Sequence, residues 1–257
     1  RLSAREALAG AARQLTGLRG ELLALAERHV ETIIVAHTHH QPAQPTSLAH
    51  YLAAAESAVS RDHERLMDAL ERLNRSPMGA AAMAGSTHGI DRHHTARLLG
   101  FDGPVENTFD AVSASDWQIE LVGALQTSAL TLSRVLYDLL NWASRGLVTL
   151  PDDLVQGSSI MPQKRNPVAL EHARARLSKA LGSAGAVLYS SHNIPYGDVN
   201  DPGPDVQQPL KTTFDEFGSG VRLLTVCLRG LDVDVGAWEA EALAGDTTAT
   251  ELAEVLT

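Results

Sequence analysis

Two short polar stretches hold residues whose types and spacing can do chemistry. "GSSIMPQKRNP" (157–167) sets the hydroxyls of Ser158 and Ser159, the cation of Lys164 and the amide of Asn166 between a glycine and a proline. Glu171 follows one helical turn beyond Pro167. A hydroxyl there can take a proton, a cation can hold an anion, and glycine lets backbone amides turn toward a ligand. "AHTHHQPAQP" (36–45) surrounds Thr38 with His37, His39 and His40. The serine stretch lacks the order of a phosphate-binding P-loop and is not Gly-x-Ser-x-Gly. The histidines are too close for an i,i+4 metal pair, and no HExxH or cysteine pattern accompanies them, so no metal is expected. Each stretch also has a plain structural reading. The serine loop is then a connector with a helix cap, Lys164 a solvated charge, Met161 a plug on the core and His39 a solvated or capping side chain.

The elements that position these loops are long helices. The chain has 257 residues, 44% of them apolar but only 4% aromatic, and Ala and Leu are abundant, which favours helix over sheet. A formal charge of −10 disfavours a nucleic-acid backbone or an anionic membrane as partner. Cys227 is the only cysteine, so no intramolecular disulfide or zinc-cysteine site can form. No signal-like segment or membrane-length apolar run occurs, and a cytoplasmic location is expected. The first residue is Arg1 rather than Met, and "TTATELAEVLT" at the end reads as an unfinished helix, so the chain is expected to be an internal piece of a longer protein.

Leu8, Leu15, Leu18, Leu22 and Leu25 recur at three- and four-residue steps, which predicts a helix from Ser3 to about Val30. Pro42 and Pro45 interrupt the pattern, and Thr46 or Ser47 is the expected N-cap of a second helix through Leu73. A short helix near Arg92–Leu99, one long helix from about Thr108 to Ala143, a helix opened by Pro167, and another over Leu210–Leu231 follow. Helices of this length need neighbours along their whole length, and near-parallel bundling supplies them. The expectation is an all-α, long-helix bundle that is oligomeric. Its central domain is expected over 1–231, with a C-terminal helical domain beginning at 232–257 and an N-terminal domain preceding the chain.

The loops also resemble a known family. "GSSIMPQKRNP" is similar to the signature of the aspartase/fumarase superfamily. "HTHHQPAQPTSLAHYL", "GIDRHHTARLLGFDGPVENTFDAVSASDW" and "TATELAEVL" resemble segments of argininosuccinate lyase, in the same order. The resemblance implies an all-helical homotetramer whose central helices assemble into a superhelical bundle, with each active site built from three subunits. It implies a small-molecule reaction without cofactor: reversible elimination of fumarate from an N-substituted aspartate. Carried over residue by residue, Ser158 matches the family's general base, His39 the histidine on the leaving-group side, and Glu171 that histidine's partner. Thr38, Ser159, Lys164, Asn166, Gln44 and Asn107 match positions in segments that bind substrate. Removing a proton beside a carboxylate makes a doubly negative aci-carboxylate, which needs fixed donors such as Lys164, Asn166 and loop amides.

The likeness has gaps. The family's Ser-x-Asn fumarate-binding element would precede Arg1. In "IPYGDVNDPGPDVQQPL", Tyr196, Asn200, Gln207 and Gln208 occur at altered spacing, and no lysine comes before Lys211. Ser115 stands where arginine is common. The reaction class therefore follows more directly than the amine. The alternatives are an adenylosuccinate lyase or lactonising cycloisomerase activity, a catalytically silent structural relative like the lens crystallins, and a helical scaffold with incidental loops.

Overall fold

The computed structural model describes residues 1–199, 202–245, 247–249 and 255. In chain order, α1 is Leu2–Arg28, β1 Ile33–Thr38, β2 Gln41–Ser47, α2 Leu48–Leu73, α3 Arg92–Leu98, α4 Thr108–Ser113 and α5 Asp116–Ser144. Then come β3 Val148–Thr149, β4 Gln156–Gly157, β5 Arg165–Asn166, α6 Val168–Ser190, α7 Pro202–Gly230, β6 Asp232–Val233 and α8 Val235–Leu243. This is an all-α, long-helix bundle. The strands among the described residues form two-stranded antiparallel pairs, β1 with β2, β3 with β6 and β4 with β5. No helix among them is long and apolar enough to cross a membrane.

The leucine spacing explains the helices. In α1, Ala4, Leu8, Ala11, Leu15, Leu18, Leu22 and Leu25 alternate steps of four and three, and all are buried. That period turns one continuous stripe away from water. In α2, Leu52, Val59, Leu66 and Leu73 recur every seven residues and are equally buried. Each such side chain contributes roughly 1.5–3 kcal/mol on leaving water. Ser47 is the N-cap of α2, its hydroxyl accepting from the amide of His50 at 3.1 Å.

Two helix boundaries differ from expectation. The segment over 108–143 is two helices, because Ala114 is extended (φ −64°, ψ 118°) and a new helix begins at Asp116. The indole of Trp117 donates to the Ala114 carbonyl at 3.1 Å and secures the break. α7 begins at Pro202 rather than near Leu210. Prolines 202 and 204 fall in its first turn, where their missing N–H groups have no intrahelical acceptor to lose, and only Pro209 lies inside the helix. The expected terminal helix at "TATELAEVL" falls mostly outside the described residues.

The chain divides into two compact units. The first comprises Arg1–Gln14, Arg61–Leu130 and Arg176–Ser219, and the second Leu15–Ser60, Thr131–Ala175 and Gly220–Thr257. Within the first, Val122, Ala184, Val187, Val206 and Leu210 form a core cluster against Trp117, Leu188 and Phe214. Glu216 on α7 is buried there. Lys179 Nζ and Arg176 Nη1 of α6 donate to its two oxygens at 2.6 and 2.8 Å, and these bonds hold its carboxyl below the ordinary glutamate range. Within the second unit, Trp238 of α8 is fully buried and meets Trp142 edge-on at 5.3 Å, and Trp142 meets Tyr51 at 4.8 Å.

A depressed folded-state pKa means that the Glu216 contribution is present above the unfolded pKa and is withdrawn as pH falls through the folded value. The difference in melting temperature between the protein and Glu216→Gln is therefore expected to be largest above about pH 5 and to shrink toward about pH 3. A difference that stays constant over that range would show that the carboxylate charge contributes nothing.

Candidate active site

The histidine stretch is a β-hairpin. Ile33 pairs with Ser47, Ile34 with Thr46, Val35 with Pro45, His37 with Pro42 and Thr38 with Gln41, with an irregularity between Val35 and His37. Pro42 and Pro45 lack ladder donors but are tolerated because, among the described residues, β2 has no strand on its outer side. The β-branched run Ile33-Ile34-Val35 is the signal for this strand, and the prolines that follow obscure it. Ile34 and Val35 are buried, and α8 packs on β1.

The hairpin turns through two residues, His39 (φ 53°) and His40 (φ 61°). A two-residue hairpin loop of this kind needs positive φ at both positions to match strand twist, which is why Asn-Gly usually fills it. Histidine enters that region more readily than most residues, yet still at a steric cost of about 1 kcal/mol. The candidate catalytic histidine thus sits at a strained, exposed tip with Thr38 beside it. Gln44 is exposed on β2.

The serine stretch is also closed by a ladder. Gln156 pairs with Asn166 and Gly157 with Arg165. The guanidinium of Arg165 holds the Asp152 carboxylate and donates to the Leu150 carbonyl at 2.8 Å, fixing the base of the loop. Ser158 is the first residue past the ladder. Its half-buried Oγ accepts from the backbone amides of Met161 at 3.0 Å and Ile160 at 3.3 Å. Serine side chains favour such local turns, since the hydroxyl replaces a missing backbone acceptor. Lys164 and Ser159 are exposed, and Ile160 is 86% exposed at the tip. Asn166 ends β5, and Glu171 lies on the exposed face of the first turn of α6.

Eight of the nine residues singled out by sequence (Thr38, His39, Gln44, Ser158, Ser159, Lys164, Asn166 and Glu171) fall in the second unit. Among the described residues, no hydrogen bond or ion pair of this chain joins His39 to Glu171 or to the Ser158 loop. Asn107 lies in the first unit, and its Oδ1 caps α4, accepting from the amides of Phe109 at 2.9 Å and Asp110 at 3.1 Å.

Sequence reasoning missed the surroundings of the hairpin. His39 and His40 line a cavity of about 760 Å³ together with His37, Tyr51, Asp138 and Arg145. The Tyr51 hydroxyl donates to Asp138 Oδ2 at 2.6 Å. Burial first, and then this bond, push the phenol well above its ordinary range, so it remains a donor. Tyr51 and Asp138 lie on two helices 87 residues apart in sequence, and no local pattern could have paired them.

Comparison with known proteins adds an independent line. A family model described as Lyase matches residues 1–182. The chain is 41% identical over 244 residues to an argininosuccinate lyase of Chromobacterium violaceum, covering 94% of this chain and 53% of that protein. It is 38% identical over 259 residues to an argininosuccinate lyase of Methanosarcina mazei, covering 99% and 52%. It thus spans about half the length of these relatives. The crystal structure of EDDS lyase in complex with formate superposes with a TM-score of 0.91 at 28% identity, covering 99% of this chain and 51% of that one. A class II fumarase from Schistosoma mansoni shares the fold, with a TM-score of 0.79 at 21% identity over 90% of this chain and 53% of that one.

Glycine in place of His40 removes the steric cost of positive φ while loosening the unfolded chain. The net stabilisation expected is about 0.5 kcal/mol at most, a rise of roughly 1–2 °C in melting temperature by calorimetry. A fall instead would mean that the His40 side chain holds the turn together.

Proposed function

Since the chain belongs to the Lyase family, as an argininosuccinate lyase-like member of the aspartase/fumarase superfamily, we propose that the whole protein is a C–N lyase releasing fumarate reversibly from an N-substituted aspartate. It works without a cofactor, in the cytoplasm, as a homotetramer whose sites each draw loops from three subunits.

The observation that carries this reading is the environment of Ser158 Oγ. A serine hydroxyl is a poor base, and desolvation alone would worsen it by disfavouring the alkoxide. Here two backbone N–H groups already donate to that oxygen. Donors aimed at the charged form favour it, and the Lys164 cation six residues on adds to the effect as the loop closes. Ser158 takes the proton next to the substrate carboxylate. Lys164, Asn166, Ser159 and the loop amides meet the charge that develops on the aci-carboxylate. Thr38 and Gln44 hold the substrate from the hairpin, and Asn107 contributes its side-chain amide nitrogen while its oxygen caps α4.

On the other face the departing nitrogen needs a proton. His39 delivers it, directly or through water, and Glu171 of a neighbouring subunit favours the charged imidazole. Placing these partners on different subunits agrees with there being no hydrogen bond or ion pair between His39 and Glu171 among the described residues of one chain.

The amine is less constrained than the chemistry. Tyr196, in the stretch where the likeness to argininosuccinate lyase weakens, and Lys211, just past it, are both engaged within this chain. Tyr196 donates to Asp110 at 2.6 Å, and Lys211 pairs with Asp215 along α7. That favours an N-succinyl amine other than argininosuccinate as a second reading of the substrate.

The test follows fumarate by its ultraviolet absorbance in full-length protein offered arginine, ammonia, simple amines, diamines and amino acids. Consumption with arginine alone makes argininosuccinate the substrate, and consumption with another amine selects the second reading. Ser158→Ala is expected to keep the oligomer and lower kcat by about 10²–10⁴-fold. Undiminished turnover in that variant would remove Ser158 as the base. No fumarate consumed or released by the native protein with any of these substrates would point instead to a silent structural relative.

A further inference from the structure

Glu241 of α8 lies outside the short segments that pointed to the site and beyond the residues matched by the family model, yet it reaches the strand that bears the histidine turn. Its two carboxylate oxygens have different environments. Oε2 holds the guanidinium of Arg145, the residue that follows α5. Oε1 is buried and accepts no hydrogen bond among the described residues, and it stands 4.0 Å from Nε2 of His37.

The other ring nitrogen decides what His37 can offer. His37 Nδ1 is 3.0 Å from the Val35 carbonyl oxygen. A carbonyl only accepts, so Nδ1 carries a hydrogen, and a neutral ring would turn the lone pair of Nε2 toward the carboxylate. One proton on Nε2 satisfies both groups at once, and an approach of roughly 1 Å makes the contact a charge-assisted hydrogen bond. The other charged or titratable groups around His37 are His39 and His40 of the turn, His50 and Tyr51 of α2, Tyr137 and Asp138 of α5, and Arg145.

The hairpin has need of such a tie. A two-stranded ribbon is marginal by itself, and this one has an irregularity below His37, two prolines in its second strand and two positive-φ histidines at its tip. Ile34 and Val35 anchor its base by burial, but beyond the irregularity His37 is the residue of β1 with a polar partner on another element. We propose that Glu241, braced by Arg145, holds the His37 ring and thereby positions the Thr38–His39–His40 turn, which makes Glu241 a positioning residue for proton delivery to the leaving group.

This inference rests on the lyase reading for its consequence but not for its geometry, so two measurements in full-length protein separate them. In the fumarate assay, Glu241→Ala is expected to lower kcat by about 10- to 100-fold with KM little changed, because a displaced acid weakens the transition state more than substrate binding. Glu241→Gln keeps an acceptor for Arg145 and a donor for His37, and is expected to recover most of that loss. Losses from Glu241→Ala and His37→Ala should not add. Wild-type kcat in Glu241→Ala, additive losses, or losses no greater than the fall in melting temperature explains would each overturn the proposal.

The second measurement needs no turnover. With ¹⁵N-labelled histidine, the ring resonances of His37 and His39 are expected to shift in Glu241→Ala and to return toward native positions in Glu241→Gln. Unshifted rings overturn the positioning role even in an active enzyme. Shifted rings in a protein that releases no fumarate would uphold it and overturn the lyase reading alone.

Discussion

Removal of continuous apolar stripes from water is the interaction on which everything else depends. A helix of 27 or 29 residues is not stable by itself in water, because its propensity alone barely offsets the entropy of ordering the chain. The three-four alternation of Ala and Leu in α1 and the seven-residue repeat in α2 give each helix one buried seam, and the seams define where helices lie against one another. Once the helices are committed, the chain between them is confined to loops whose ends are rigid. Small shifts in those ends translate directly into displacement of functional groups.

The loops with chemical capacity share a device. Each is closed at its base by a short antiparallel ladder, β1 with β2 below the histidine turn and β4 with β5 below the serine loop. A ladder of a few pairs has little stability of its own, and beside each stands an arginine paired with a carboxylate. At the serine loop it is Arg165, with Asp152 and the Leu150 carbonyl. At the hairpin it is Arg145, with Glu241. The tips remain exposed: Ile160 projects into solvent, and His39 and His40 hold positive φ.

Much of the architecture and the family was legible in the residues alone. The periodicity of α1 and α2 predicted those helices to within a few positions, since a buried seam must recur at the helical period, and Pro167 marked the start of α6. The serine stretch stood out because it is similar to a family signature, whereas its residue types alone left a plain connector reading open. The hairpin was not legible as such, because two prolines in β2 argue locally against a strand and only its outer side, unpartnered among the described residues, permits them. The break at Ala114 and the early start of α7 at Pro202 escaped for a related reason. Helix ends are decided by caps and by which backbone groups find partners, and these leave weak traces in hydrophobic periodicity.

By itself the sequence determined the helical class, the family to which the chain belongs, and which candidate groups could move protons or hold anions. These are properties of residue type and spacing along the chain, and the chain carries them wherever it goes. Tertiary structure decided what surrounds those groups: two amides on Ser158 Oγ, positive φ at His39, a Tyr51–Asp138 pair closing one wall of a cavity, and a carboxylate from α8 beside His37. Those features join residues far apart in the chain or depend on how tightly a loop is drawn closed. Burial and direction, which set what a hydroxyl or an imidazole can do, exist only once distant segments have packed.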